Sequence, residues 1–317
     1  MGIIYDVIII GSGPAGLSAG IYSGRSLLKT LIIECSKAGG QATTTDEIEN
    51  YPGAEDKETG PSLIAKMVKQ AVHFGIQQVK AEVIGVELDG AVKTVKCKDA
   101  EYQGKVVIIA SGASPRHIGC KGEVEFTAKG VSYCATCDAA FFEGMEVFVV
   151  GAGDSAIQEA LFLARFARKV TIIYRKSQAE MRAAKSLLQK VFNNPKFSLI
   201  YNSDVKEVRG ESGLLDTIVV KNSKTGEETE FHADEEDGTF GLFVFIGLTP
   251  RTEIFQEKIK MENGYILTDE NMRTNVPGVY AAGDCRVKKL RQVVTAAADG
   301  AIAAVDAEKF IEHMEGN

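Results

Sequence analysis

No apolar run in this sequence approaches the roughly 20 residues that a membrane-spanning helix needs. Basic charge is also short: over 317 residues the formal net charge is −7. That is the wrong sign for a nucleic-acid partner, whose phosphates demand a basic face. Low-complexity tracts and short-period repeats are absent. Cysteine is sparse, at six residues, and only Cys134 and Cys137 are close together, so a secreted disulfide scaffold is excluded. Cys35, Cys97, Cys120 and Cys285 read as ordinary thiols. The apolar opening Ile3–Ile10 lacks a basic leader and is interrupted by Asp6, so it reads as a buried strand and not as a signal peptide. Hydrophobic residues at 45% and charged residues at 25% are ordinary for a soluble globular protein. The expectation is a soluble cytoplasmic enzyme of two domains, with no membrane, metal or nucleic-acid association.

What is present is a design used twice. Val7-Ile8-Ile9-Ile10 runs into a glycine turn, a helical segment to about Gly24, and the strand Leu31-Ile32-Ile33-Glu34. Val147-Phe148-Val149-Val150 runs into a second glycine turn, a helical segment to Ala167, and the strand Val170-Thr171-Ile172-Ile173. Each is a βαβ unit whose strands are apolar on both faces, as strands of a parallel sheet are. The two begin about 140 residues apart, near the size of one small domain each. The polar stretch Asp234–Gly238 reads as a boundary or loop. An apolar strand, Leu242–Gly247, follows it, and a last helix starts at about Arg291.

The first turn is Gly11-Ser12-Gly13-Pro14-Ala15-Gly16. Its glycines allow a tight turn and the close approach of a pyrophosphate, which then sits at the positive end of the helix. Glu34, at the end of the next strand, is placed to accept hydrogen bonds from ribose hydroxyls and would repel a 2′-phosphate. The second turn, Gly151-Ala152-Gly153-Asp154-Ser155-Ala156, is followed by Tyr174-Arg175-Lys176 instead of an acid. Two cations there suit a 2′-phosphate and hence NADP; the alternative is a solvated basic face. Two dinucleotide sites of opposite ribose chemistry point to a flavoprotein fed by a nicotinamide. Between them lies Cys134-Ala135-Thr136-Cys137-Asp138, whose spacing lets two sulfurs close a disulfide near a helix N-terminus. Asp138 could move protons to or from the dithiol. The competing reading is half a zinc site completed by Cys120 and His117, but no second tight pair exists.

On these blocks the chain resembles the low-molecular-weight thioredoxin reductases (class II pyridine nucleotide-disulfide oxidoreductases) over nearly its whole length. Further matches are Gly39-Gly40-Gln41, Glu49-Asn50-Tyr51-Pro52-Gly53, Gly278–Asp284 and Arg291–Ala296. The resemblance implies an α/β fold of two Rossmann-like domains, the second inserted into the first. The FAD domain would comprise 1–114 and 243–317, and the NADPH domain, carrying the cysteine pair, 115–242. Residues implied to hold FAD are Gly11, Gly13, Pro14, Ala15, Gly16, Glu34, Gly40, Gln41, Asn50, Gly112, Gly283, Asp284, Arg291 and Gln292. Those implied to hold NADPH are Gly151, Gly153, Asp154, Ser155, Ala156, Arg175 and Lys176.

The resemblance also implies that Cys137 receives electrons from the flavin, that Cys134 attacks the disulfide of thioredoxin, and that the enzyme is a homodimer. The glutathione and lipoamide reductase branch is set apart by its early Cys-x4-Cys pair, which is missing here. Two departures stand out. Ala139 replaces the family's usual glycine. The family's His-Arg-Arg, three residues, then Arg becomes Tyr174-Arg175-Lys176 with Arg182 after five residues. Relatives without these cations take electrons from ferredoxin, so a ferredoxin-dependent reductase is the alternative. A non-catalytic flavin-binding sensor is a third reading, against which the intact cysteine motif speaks.

Overall fold

The computed structural model of the chain describes residues 3–45, 48 and 50–316. The chain divides into two compact units, one made of residues 1–114 and 249–317, the other of residues 115–248. Glu49 of the Glu49–Gly53 block lies outside the described residues.

The first unit opens with β1 (Ile4–Ile10), α1 (Pro14–Arg25) and β2 (Thr30–Glu34). It continues through α2 (Gly60–His73), β3 (Gln77–Lys80), β4 (Val83–Glu87), β5 (Lys93–Cys97) and β6 (Glu101–Ile109). The strands lie in the order β3-β2-β1-β6-β5-β4. β1 pairs in parallel with both β2 and β6, which makes it an interior strand. From Val7 to Ile10 its side chains therefore alternate between two cores, and Tyr5 joins the second of them. Val7 and Ile9 pack with Leu17, Ile64 and Ala303 on the helical face; Tyr5, Ile8 and Ile10 pack with Val95, Phe255 and Ile266 on the other. This double burial is why the run is apolar without alternation. The segment Val279–Ala281 pairs in parallel with the second half of β6, so the end of the chain completes the sheet begun by its start.

In the second unit five strands are parallel, in the order Phe197–Tyr201, Lys169–Tyr174, Glu146–Val150, Gly241–Val244, Val131–Ser132. Three helices belong here: α3 (Ala135–Asp138), α4 (Asp154–Leu163) and α5 (Lys185–Phe192). One face, with Val147, Val149 and Phe243, packs on α4 through Ile157, Ala160 and Leu163. The other, with Phe148, Val150 and Leu242, packs on an antiparallel sheet of Ser203–Arg209, Thr217–Asn222 and Glu228–His232. Because Gly241–Val244 is an interior strand of this sheet, the unit extends to Leu248 and does not stop at 242. Two helical expectations shift: α4 ends at Leu163 rather than Ala167, and the last helix, α6 (Val293–Glu315), starts two residues after Arg291. Asp234–Gly238 is a loop inside the second unit, tied by Arg168 to Asp237 at 2.5 Å. Among the described residues no helix is long and apolar enough to cross a membrane.

Candidate active site

In the first unit, β1 delivers the chain into Gly11, whose φ of +105° favours glycine and whose absent Cβ would lie 2.4 Å from the Ala110 carbonyl oxygen. Gly16 is equally constrained, since a Cβ there would stand 1.9 Å from the Gly11 carbonyl oxygen. Gly13 differs: the nearest atom to its missing Cβ is 3.8 Å away, so the space above it is open. Two of the three glycines therefore serve the turn itself, and the third leaves an approach to the N-terminus of α1. No side chain caps that end, and Pro14 and Ala15 open the helix.

Glu34 closes β2. Its Oε2 accepts hydrogen bonds from the Ser12 N–H and hydroxyl, both at 2.9 Å, and its Oε1 accepts from the Ser36 N–H at 3.1 Å. Burial pushes its carboxyl up, but these donors outweigh burial and hold it below the usual carboxylate range. Gly40 and Gln41 lie in the 3-10 turn Gly40–Thr44, and Gly112, at φ +72°, faces open space.

The end of the chain supplies the rest of this site. Asn50 Nδ2 donates to Gln292 Oε1 at 3.2 Å, joining side chains 242 residues apart. Gly283 follows the strand Val279–Ala281, and its N–H donates to Asp299 Oδ2 at 3.0 Å. Asp284 is half-buried; desolvation pushes its carboxyl above the usual range against the pull of Lys288 and Arg291. The Arg291 guanidinium lies over the Tyr265 ring at 4.4 Å. Asp284 Oδ1 and Arg291 Nε are buried with no hydrogen-bond partner among the described residues. Unsatisfied polar atoms of this kind mark a place where a polar ligand belongs. A cavity of about 490 Å³ lies elsewhere in this unit, between the Arg273–Tyr280 segment and Lys309, Phe310 and His313. None of the expected site residues lines it.

In the second unit, Cys134 and Cys137 form a disulfide with Cα atoms 5.3 Å apart. Cys134 stands at the N-cap of α3, a single turn, and both cysteines are half-buried. A pair bonded to itself offers no thiolates to zinc. The third proposed ligand, Cys120, has its thiol pushed up to about 11 by burial and by the charge of Glu123. Asp138 Oδ2 accepts a hydrogen bond from the Ser132 hydroxyl at 2.5 Å. Three residues beyond Asp138, Phe141 is 61% exposed, whereas its neighbour Phe142 is buried against Phe243.

The second glycine turn repeats the first with one change. Gly151 has φ +127°, and a Cβ there would lie 2.4 Å from the Phe245 carbonyl oxygen. Gly153 is open, while Ala156 fills the third position and is buried. Asp154 Oδ1 accepts the Ala184 N–H at 2.7 Å, and Ser155 is exposed. Arg175 and Arg182 are exposed and make no ion pair among the described residues. Lys176 is not equivalent to Arg175. Its ammonium pairs with Glu180 at 3.3 Å, and Glu180 also caps the turn through Ser177.

Sequence reasoning missed Ser132, Tyr133, Glu123, Phe141 and Tyr265. Only the Ser177–Glu180 pattern, a capping-box spacing, was open to reading as a warning that Lys176 has a competing partner.

Two glycine turns, each between a parallel strand and a helix, with a disulfide-bonded cysteine pair between them in sequence, are the frame of a flavin-dependent disulfide oxidoreductase. The chain belongs to the pyridine nucleotide-disulphide oxidoreductase family, whose model matches residues 5–300. It is 57% identical over 310 residues to the thioredoxin reductase of Peptoclostridium acidaminophilum, covering 98% of each chain. It is 45% identical over 314 residues to that of Bacillus subtilis strain 168, covering 98% of this chain and 96% of the relative. The crystal structure of thioredoxin reductase from Streptococcus pyogenes MGAS5005 superimposes with a TM-score of 0.91 at 42% identity, covering 98% of this chain and 99% of that one. The protein is an oxidoreductase of this kind and uses FAD and NADPH. The orphaned atoms of Asp284 and Arg291, with the open faces of Gly13 and Gly112, fit a flavin dinucleotide.

Proposed function

We propose that the protein reduces thioredoxin, with Cys134 and Cys137 as its redox pair. The observation that carries the proposal is the half-buried Cys134–Cys137 disulfide. We assign FAD to the unit of residues 1–114 and 249–317 and NADPH to the unit of residues 115–248. Toward FAD, the α1 N-terminus and Gly13 would take the pyrophosphate, Glu34 the adenosine ribose, and Asp284 the ribityl hydroxyls. Gln41, Asn50, Arg291 and Gln292 would close over it. Toward NADPH, Gly151, Gly153, Asp154 and Ser155 would take the pyrophosphate and Arg175 the 2′-phosphate. Bound FAD supplies the two-electron carrier between NADPH and the disulfide.

The chain's own part is thiol exchange. Once the pair is reduced, the Cys134 thiolate attacks one sulfur of the partner disulfide and expels the other as a thiolate. The Cys137 thiolate then attacks Cys134 Sγ, which restores the Cys134–Cys137 bond and releases the partner as a dithiol. Asp138 stands one residue from Cys137 and is placed to hand protons to the leaving thiolates.

Phe141 offers an apolar anchor for a protein substrate. Phe141→Ala is expected to raise the KM for thioredoxin by about five- to thirtyfold, the effect of losing roughly 1–2 kcal/mol at a buried aromatic contact. NADPH-driven flavin reduction should not change. An unaltered thioredoxin KM would remove Phe141 from the docking surface. Asp284→Asn should weaken FAD binding by about two- to tenfold, measured by titrating apoprotein with FAD, because one acceptor hydrogen bond changes character.

We place the enzyme in the cytoplasm as a homodimer; Cys35, Cys97, Cys120 and Cys285 are all free thiols, as a reducing compartment requires. A second donor reading keeps one observation in its favour. Lys176 is tied to Glu180, so half of the expected phosphate clamp is engaged, and reduced ferredoxin would need no clamp. Anaerobic titration of the flavin absorbance with NADPH, NADH and reduced ferredoxin decides between them.

A further inference from the structure

Ser132 is 5% exposed, on a strand whose register sets it opposite Phe243, and its hydroxyl points into the Cys-x-x-Cys turn. Its Oγ accepts the Cys134 N–H at 3.1 Å and lies 2.5 Å from Asp138 Oδ2 and 3.3 Å from the Cys134 carbonyl oxygen. A hydroxyl has one proton, and the short contact to a carboxylate takes it. One side chain thus joins the backbone of the first cysteine to the residue that follows the second.

The next residue is anchored separately. The Tyr133 hydroxyl donates to Glu123 Oε1 at 2.8 Å, and the buried Glu123 carboxylate also accepts the N–H groups of Ile118 at 2.9 Å and Gly119 at 2.7 Å. With its proton committed to Glu123, the Tyr133 oxygen is left to accept from His117 Nδ1 at 2.8 Å.

We propose that Ser132 is a positioning residue for the redox pair: it holds the two arms of the turn together when the disulfide is open. The proposal rests on Cys134 and Cys137 being that pair. While the disulfide is closed, the bridge is redundant, since the covalent bond fixes both cysteines. On reduction the pair takes up two electrons and two protons, the S–S bond becomes two thiols, and the path Cys134 N–H to Ser132 Oγ to Asp138 Oδ2 still ties the arms. A dithiol kept near its closed geometry loses less freedom on closing, so disulfide formation is favoured and the pair becomes a stronger reductant toward its partner. Tyr133 on Glu123 secures the strand from which Ser132 acts.

The test is redox equilibrium of the intact FAD-loaded enzyme against reduced and oxidised glutathione. Here the two thiols give two electrons and two protons to glutathione disulfide, forming two glutathione thiols. Acid quenching, alkylation and mass measurement then count the open pairs. Ser132→Ala should lower the equilibrium constant for closure by about three- to tenfold, the loss of one hydrogen-bonded bridge. A tenfold change corresponds to about 30 mV for this two-electron couple. Ser132→Thr, which keeps the hydroxyl, should restore the wild-type value. Tyr133→Phe should shift the constant in the same direction by less, and it carries the test if Ser132→Ala does not fold. A wild-type pair that never exchanges with glutathione would sink the redox assignment itself. A wild-type pair that titrates normally, with Ser132→Ala or Tyr133→Phe indistinguishable from it, would sink only the bridge.

Discussion

Cys134→Ser is expected to abolish thioredoxin reduction while leaving the flavin fully reducible by NADPH. The serine hydroxyl is not ionised near neutral pH, so no nucleophile remains to attack the partner disulfide. Removing a nucleophile of this kind lowers turnover by about 10³-fold or more. Cys137→Ser should be equally inactive for another reason. Cys134 would still attack, but no second thiolate would resolve the product, and a mixed disulfide between Cys134 and thioredoxin should accumulate. Non-reducing electrophoresis with mass analysis distinguishes the two. Substantial turnover in either variant would show that the disulfide is structural. The flavin spectrum serves as the internal control, because both variants keep the groups that hold FAD.

Arg175→Ala should cost affinity for NADPH and leave NADH nearly untouched. A hydrogen bond to a charged group contributes roughly 1.5–3 kcal/mol, so the KM for NADPH should rise by about ten- to 150-fold. The geometry concentrates this effect on Arg175. Lys176 must leave Glu180 before it can meet a phosphate, whereas Arg175 stands exposed at the end of Lys169–Tyr174 with no ion pair among the described residues. Lys176→Ala should accordingly do less than Arg175→Ala. Equal loss of NADPH and NADH in the arginine variant would reject the 2′-phosphate role, as would a wild-type enzyme that does not prefer NADPH. If neither nucleotide bleaches the flavin and reduced ferredoxin does, the donor assignment passes to ferredoxin.

The contrast between Arg175 and Lys176 shows how far residue type can be read without coordinates. Two adjacent cations after a strand look alike in a sequence. They differ here because a 3-10 turn, capped by Ser177 and Glu180, brings an acid four residues along onto Lys176. Phe141 and Phe142 make the same point in apolar chemistry. One ring packs against Phe243 and the other is left in solvent, and no periodicity over so short a turn separates them.

Local rules were enough for the two βαβ units. Interior parallel strands must be apolar on both faces, a tight turn between strand and helix needs glycine at Gly11 and Gly151, and a two-residue spacing brings two sulfurs within bonding reach. These constraints act over a few residues, so residue type and spacing alone determined the α/β architecture, the dinucleotide turns and the cysteine pair. The long-range pairings were decided only in three dimensions. Asn50 meets Gln292, Val279–Ala281 completes a sheet begun at Ile4, and Gly241–Val244 belongs to the second unit because it lies beside Glu146–Val150. Hydrogen-bond partners such as Ser132 with Asp138 and Tyr133 with Glu123 depend on where whole elements come to rest. Those positions are set by the packing of distant apolar faces, a sum over many contacts that no short stretch of sequence contains.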